Sequence, residues 1–215
     1  YIDIYQFHNP AFCPKPGGDD GLYDAALEAK KQGKIRHISI TNHRLAVAHE
    51  AIDSGLYETL QFPFSYLAGE QELELVRKCR EKDMGFIAMK GMAGGLIRDG
   101  FTAAAWMAQQ EGVVPIWGVQ REQELDQFLQ CIREGAELTP ERQERIERDR
   151  KELCGEFCRG CGYCMPCPAG IEINQCARMS LMLRRAPAKE WLTEQWQQKM
   201  HRIEECRHCG HCTSK

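Results

Sequence analysis

The alternation of strand-like and helix-like segments over residues 1–135 most constrains the fold of this 215-residue chain. Short apolar runs predict five strands, and segments with apolar residues at helical spacing separate them. The predicted strands are Ile2–Phe7, Ile35–Thr41, Leu60–Phe62, Gly85–Met89 and Val113–Trp117. Strand, helix and strand at this spacing predict parallel strands joined by right-handed crossovers. The fold class is therefore predicted to be α/β.

Two architectures have this pattern: an open doubly wound sheet and part of an eight-stranded (β/α)₈ barrel. An open sheet that binds a dinucleotide often carries a GxGxxG motif after a strand, and no predicted strand here is followed by one. The absence of this motif favours the barrel.

Cysteine spacing defines a second region after residue 136. Seven of the twelve cysteines fall into two tight runs. These are Cys158, Cys161, Cys164 and Cys167, the last followed by a proline, and Cys206, Cys209 and Cys212. A thiolate at every third residue with a final Cys-Pro is typical of a loop around a [4Fe–4S] cluster. A zinc site usually draws two separated CxxC pairs, so iron–sulfur is favoured over zinc.

The assignment of these cysteines to one or two clusters stays open. In two-cluster ferredoxins the cysteine before the proline ligates the other cluster. That pattern joins Cys167 to the second run and leaves the first three cysteines with a fourth ligand expected beyond Lys215. The gap before Cys167 is two residues rather than the usual three. Cys154 and Cys176 are therefore alternative ligands.

Composition excludes several partners. The net charge of −3 offers no basic field for a nucleic acid or an anionic membrane surface. No apolar run has the roughly 18 residues that a transmembrane helix needs, and no leader is apparent. Crowded thiols at metal spacing without a leader predict metal ligation in a reducing cytoplasm rather than disulfides.

Five segments, in order, resemble strands four to eight of the aldo-keto reductases. They are 1–10, 33–42, 60–62, 85–95 and 114–118. The cysteine-rich tail resembles that of the branch with an iron–sulfur domain after the barrel. The resemblance implies a partial TIM barrel, about strands 4–8, over residues 1–135. It also implies a helical ferredoxin-like domain over residues 136–215.

The resemblance further implies carbonyl and alcohol interconversion by hydride transfer from NADPH or NADH. His8 would be catalytic and would hydrogen-bond the carbonyl of a small-molecule substrate. The residues that would contact the nicotinamide or its carboxamide are Thr41, Asn42, Gln61 and Met89. Lys90 and Gly91 would lie at the pyrophosphate. Gly118, Val119, Gln120 and Arg121 would lie at the adenosine 2′-phosphate. Glu124 replaces a frequent arginine, so the choice between NADP and NAD stays open.

The catalytic tyrosine, lysine and aspartate of this family precede its histidine strand, and here they would lie before Tyr1. We therefore expect the 215 residues to be an inactive, poorly stable fragment of a longer oxidoreductase. The alternatives are a non-catalytic iron–sulfur protein for electron transfer or interaction, and a zinc-stapled binding domain. The clusters would either feed a redox partner protein or fasten the tail to the barrel.

Overall fold

A computed structural model describes residues 1–119, 121–153, 158, 162, 164–185 and 187–213. Its strands form one parallel sheet in the order β1 to β5. The strands are β1 (Ile2–His8), β2 (Ile35–Thr41), β3 (Thr59–Pro63), β4 (Gly85–Met89) and β5 (Val113–Pro115). The helices are α1 (Leu22–Lys31), α2 (Leu45–Ser54), α3 (Glu70–Glu81), α4 (Gly100–Met107), α5 (Glu122–Glu134), α6 (Pro140–Leu153), α7 (Ile173–Cys176), α8 (Met179–Arg185) and α9 (Glu194–His201).

The predicted α/β class, with parallel strands followed by a helical region, is confirmed. Register explains which face of the sheet meets the helices. Phe7, Ile40, Leu60 and Phe86 lie side by side across four strands and are all buried. Side chains alternate between the two faces of a strand, so the next residue of each strand points to the opposite face. The buried row packs against the helices, and the opposite face carries both polar side chains and apolar ones such as Ile4 and Val114.

The helical region packs against the sheet through α6. Ile146 and Leu153 lie two turns apart on this helix, are fully buried, and join the core formed by the strands. The Tyr66 hydroxyl donates to Asp149, and Arg150 Nε donates to the Tyr66 carbonyl at 2.7 Å. Residues on both sides of position 135 contribute to one core. The domain boundary at this position stays a prediction.

The described residues between the two cysteine runs form several short helical pieces rather than long helices. Ala177 and Arg178 separate α7 from α8, and the Arg178 amide donates to the Gln175 carbonyl three residues back, at 3.2 Å. Within residues 188–205, one short 3₁₀ turn precedes α9 and another follows it. The Thr193 hydroxyl caps α9 by accepting from the Trp196 amide at 3.4 Å. Within the described ranges, no helix is long and apolar enough to cross a bilayer.

Candidate functional site

A row of polar side chains lies at the carboxyl end of the sheet. His8 pairs in register with Thr41, and Thr41 with Gln61, so these residues share the face opposite the helix-packed row. Met89 is on the same face of the next strand, and Gln61 Nε2 lies 3.5 Å from its sulfur. His8 is exposed, Gln61 and Met89 are half-buried, and Thr41 is buried. The structure thus brings four of the predicted site residues together.

Asn42 follows this row but is engaged in the loop after β2. Its side chain is fully buried, and Nδ2 donates to the Pro10 carbonyl at 2.8 Å. Its Oδ1 accepts from the amides of His43 and Arg44 at 2.9 and 2.8 Å. An amide nitrogen has two hydrogens, so one N–H remains for another acceptor. The role of Asn42 at a nicotinamide carboxamide stays a prediction.

A pocket of about 300 Å³ lies beyond the carboxyl ends of β2, β3 and β4. Its apolar wall includes Phe62 and Phe64, and its polar wall includes His43, Lys90 and Arg178. Burial, followed by the charge of Lys90, lowers the pKa of His43 to about 4. His43 is therefore a neutral imidazole at pH 7, and the cationic side chains of the polar wall are those of Lys90 and Arg178.

The glycine-rich loop after β4 begins at a packing contact. Gly91 is buried, and a Cβ added there would lie 2.3 Å from Cζ3 of Trp117. The Trp117 ring stacks on Phe128 with centroids 4.5 Å apart. The missing side chain of Gly91 therefore makes room for an indole. Its predicted place at a pyrophosphate stays untested.

Arg121 precedes α5 and is already paired. Its Nε and Nη2 donate to Glu124 Oε1 at 2.9 and 2.6 Å, and the Glu124 side chain is only 3% exposed. Gly118 and Val119 are exposed in the preceding loop, while Gln120 lies outside the described residues. The Glu124 carboxylate therefore compensates the charge of Arg121, the residue that the resemblance places at a 2′-phosphate.

The predicted cluster ligands differ in exposure. Cys158, Cys164 and Cys167 are half-buried, and the run from Cys206 to Cys212 is exposed. Cys154 and Cys161 lie outside the described residues. Thiols suit iron, but the described part of the chain contains no group of three possible ligands close enough for one ion. The ligand set stays a prediction.

Comparison with known proteins gives the class that this fold and site define. Residues 1–105 match the aldo/keto reductase family, and residues 157–215 match a 4Fe-4S dicluster domain. The resemblance predicted from the sequence is therefore confirmed as two matches along the chain, an aldo/keto reductase match followed by a 4Fe-4S dicluster match.

Solved structures support the same fold. The apo form of the aldo-keto reductase AKR11C1 from Bacillus halodurans is 20% identical, with a TM-score of 0.56 over 73% of this chain and 64% of that one. The thermostable aldo-keto reductase Tm1743, solved with the inhibitor epalrestat, is 19% identical, with a TM-score of 0.51 over 69% and 60% of the two chains. The chain thus spans under two thirds of the length of these structures. No curated protein matches it.

Sequence reasoning missed His43 and Arg178, the two basic side chains that line the pocket together with Lys90. His43 directly follows a predicted site residue, and this position was the available signal. Arg178 has no such signal, because it lies about 90 residues along the chain from Lys90 and outside any metal-binding spacing.

Proposed function

We propose that the protein is an NAD(P)H-linked oxidoreductase that interconverts small carbonyl compounds and alcohols. The observation that carries this proposal is the row from His8 through Thr41 to Gln61 at the carboxyl ends of three adjacent strands. Barrel enzymes place their active sites at this end of the strands. The cationic pocket beyond β2, β3 and β4 adds a place for a phosphate-bearing ligand.

Each residue of the row has a proposed role. A bound reduced nicotinamide supplies a hydride. His8, exposed at the end of β1, donates a hydrogen bond to the substrate oxygen, on which negative charge develops. The Thr41 hydroxyl and the Gln61 amide match the donors and acceptors of a carboxamide. Met89 packs its thioether against the nicotinamide ring. Lys90 provides positive charge for the pyrophosphate.

Among the residues that the structure describes, three buried tyrosines already donate hydrogen bonds within the fold. The hydroxyls of Tyr23, Tyr57 and Tyr66 donate to the Leu56 carbonyl, the Pro14 carbonyl and the Asp149 carboxylate. Burial raises the pKa of the Tyr57 hydroxyl further. We therefore propose that residues 1–215 bind the dinucleotide without completing the reduction, and that a longer chain carries the proton donor.

We propose that the cysteine runs hold one or two [4Fe–4S] clusters that either serve a redox partner protein or stabilise the tail. A hydride carries two electrons, whereas a cluster passes one electron at a time. Hydride transfer at the barrel and electron transfer by the clusters can therefore be separate activities. Thiols at this spacing are kept reduced in a cytoplasm, which is the location that we propose.

The test is dinucleotide binding by protein purified and kept without oxygen, with iron and acid-labile sulfide measured on the same sample. We expect NADPH or NADH to bind with iron and sulfide present. His8→Gln should keep the binding constant, because His8 acts on the substrate. In a longer chain that turns over, His8→Gln should lower kcat by about 10²-fold or more. His201→Gln, at an exposed position, is the matched control.

The outcomes separate this proposal from its alternatives. Iron and sulfide without dinucleotide binding would indicate a non-catalytic iron–sulfur protein. Stoichiometric zinc without iron would indicate a zinc-stapled binding domain.

A further inference from the structure

Arg178 joins the iron–sulfur region to the barrel pocket. It lies between α7 and α8, inside the segment that matches the dicluster domain and outside the reductase match. Its side chain nevertheless lines the pocket beyond β3 and β4, together with Lys90. Only 9% of the residue is exposed, so this cation is held inside the fold.

The guanidinium of Arg178 is poorly satisfied. Its Nε is buried and has no hydrogen-bond partner, and Nη2 donates to the Met182 sulfur at 3.0 Å, a weak acceptor. Among the residues that the structure describes, no carboxylate forms an ion pair with it. A buried cation with only a weak acceptor is costly, so this arrangement points to an anion that enters the pocket, in addition to the Cys158 thiol group, whose charge also acts on Arg178.

The position of the guanidinium suits a phosphate. It lies against Gly94 in the loop after β4, where an added Cβ would be 3.2 Å from Nη2. Gly94 has a φ of +66°, which a side chain would strain. Arginine matches phosphate oxygens with two parallel N–H donors. Glu72, the one carboxylate that the described residues contribute to the pocket wall, accepts from the Gly69 amide at 2.9 Å.

We propose that Arg178 binds a phosphate group of a ligand in this pocket, so that the iron–sulfur domain completes a binding site on the barrel. The ligand class is a phosphate or pyrophosphate ester. Its identification as a nicotinamide dinucleotide rests on the proposed function above. The phosphate site itself depends only on the buried guanidinium, the glycine loop and Lys90.

The experiment compares Arg178→Met and Arg178→Lys with the wild type, in the whole iron-loaded protein. Arg184→Met is the matched control, because Arg184 is an exposed cation on α8 that pairs with Glu152 away from the pocket. Dissociation constants are measured for NADPH, NADH and inorganic pyrophosphate. Arg178→Met should weaken all three by at least about tenfold, or about 1.4 kcal/mol. Arg178→Lys should recover part of this loss, and Arg184→Met should bind like the wild type.

The outcomes distinguish this inference from the proposed function. Wild-type binding of pyrophosphate but not of dinucleotide, with loss in Arg178→Met, supports the phosphate site and rejects the dinucleotide. Unchanged binding in Arg178→Met with normal iron content overturns the site and leaves the proposed function standing. Loss of iron and sulfide in both Arg178 variants would show that the arginine supports the metal domain. That result would also overturn the phosphate site. Arg178→Lys preserves the charge and so provides a folded comparison if Arg178→Met misfolds.

Discussion

The pairing of Arg121 with Glu124 predicts which dinucleotide the protein prefers. Arg121 uses two of its five N–H donors on one carboxylate oxygen of Glu124, at 2.6 and 2.9 Å, so Glu124 compensates its charge and competes with a 2′-phosphate. We expect the wild type to favour NADH. Glu124→Gln keeps the size of the side chain and one oxygen acceptor but removes the charge. The guanidinium should then turn to the 2′-phosphate of NADPH.

The size of this effect follows from the bonds exchanged. A hydrogen bond to a charged group contributes about 1.5–3 kcal/mol net, and 1.4 kcal/mol is tenfold in affinity. Glu124→Gln should therefore raise the affinity for NADPH by about 10- to 100-fold and leave that for NADH nearly unchanged. Fluorescence titrations with both dinucleotides, at one salt concentration, give the ratio of dissociation constants.

The control is Glu122→Gln, because Glu122 is an exposed first-turn residue of α5 that loses the same charge. A ratio that stays constant in Glu124→Gln would refute the reasoning. So would an equal shift in Glu122→Gln, since that result would reflect the general field of the helix rather than the contact.

Three further predictions concern the core, a titrating side chain and a packing contact. Ile146→Ala should lower the free energy of unfolding by about 2–5 kcal/mol in urea denaturation, whereas Ile132→Ala, at 80% exposure, should change it by less than about 0.5 kcal/mol. Equal losses would contradict a shared core. The pKa of His43 is lowered to about 4, so stability should fall as the pH drops from 6.5 towards 4, and His43→Gln should flatten that slope. An unchanged slope contradicts this. Gly91→Ala should cost about 1–3 kcal/mol and shift the Trp117 emission, because the new methyl overlaps the indole; identical emission spectra would count against the contact.

The parts of the fold that depend on local pattern could be predicted from the sequence. The bounds of β2 and β4 match the predicted strands, because their β-branched and apolar residues end at polar or glycine-rich loops. The residues of the row from His8 to Gln61 were predicted through the resemblance to the aldo-keto reductases, and the parallel strands bring them to one edge of the sheet. Periodicity was enough for the strands alone.

Contacts between distant residues could not be predicted. The break at Arg178 has no glycine or proline to mark it, and the side chain at the break is buried against the loop after β4. The fit of Trp117 over Gly91 likewise requires the three-dimensional arrangement. A sequence shows which side chains are charged or small, and the fold decides what fills the space beside them.

The common core of α6 and the strands has a consequence for how this protein would fail under oxidative stress. Ile146 and Leu153 tie the segment before the first cysteine run to the same interior as the site-bearing strands. Damage by oxygen at the metal end should therefore loosen the reductase end as well. We expect air-exposed preparations to become protease-sensitive along the whole chain at one rate, rather than to shed a tail and keep an intact barrel.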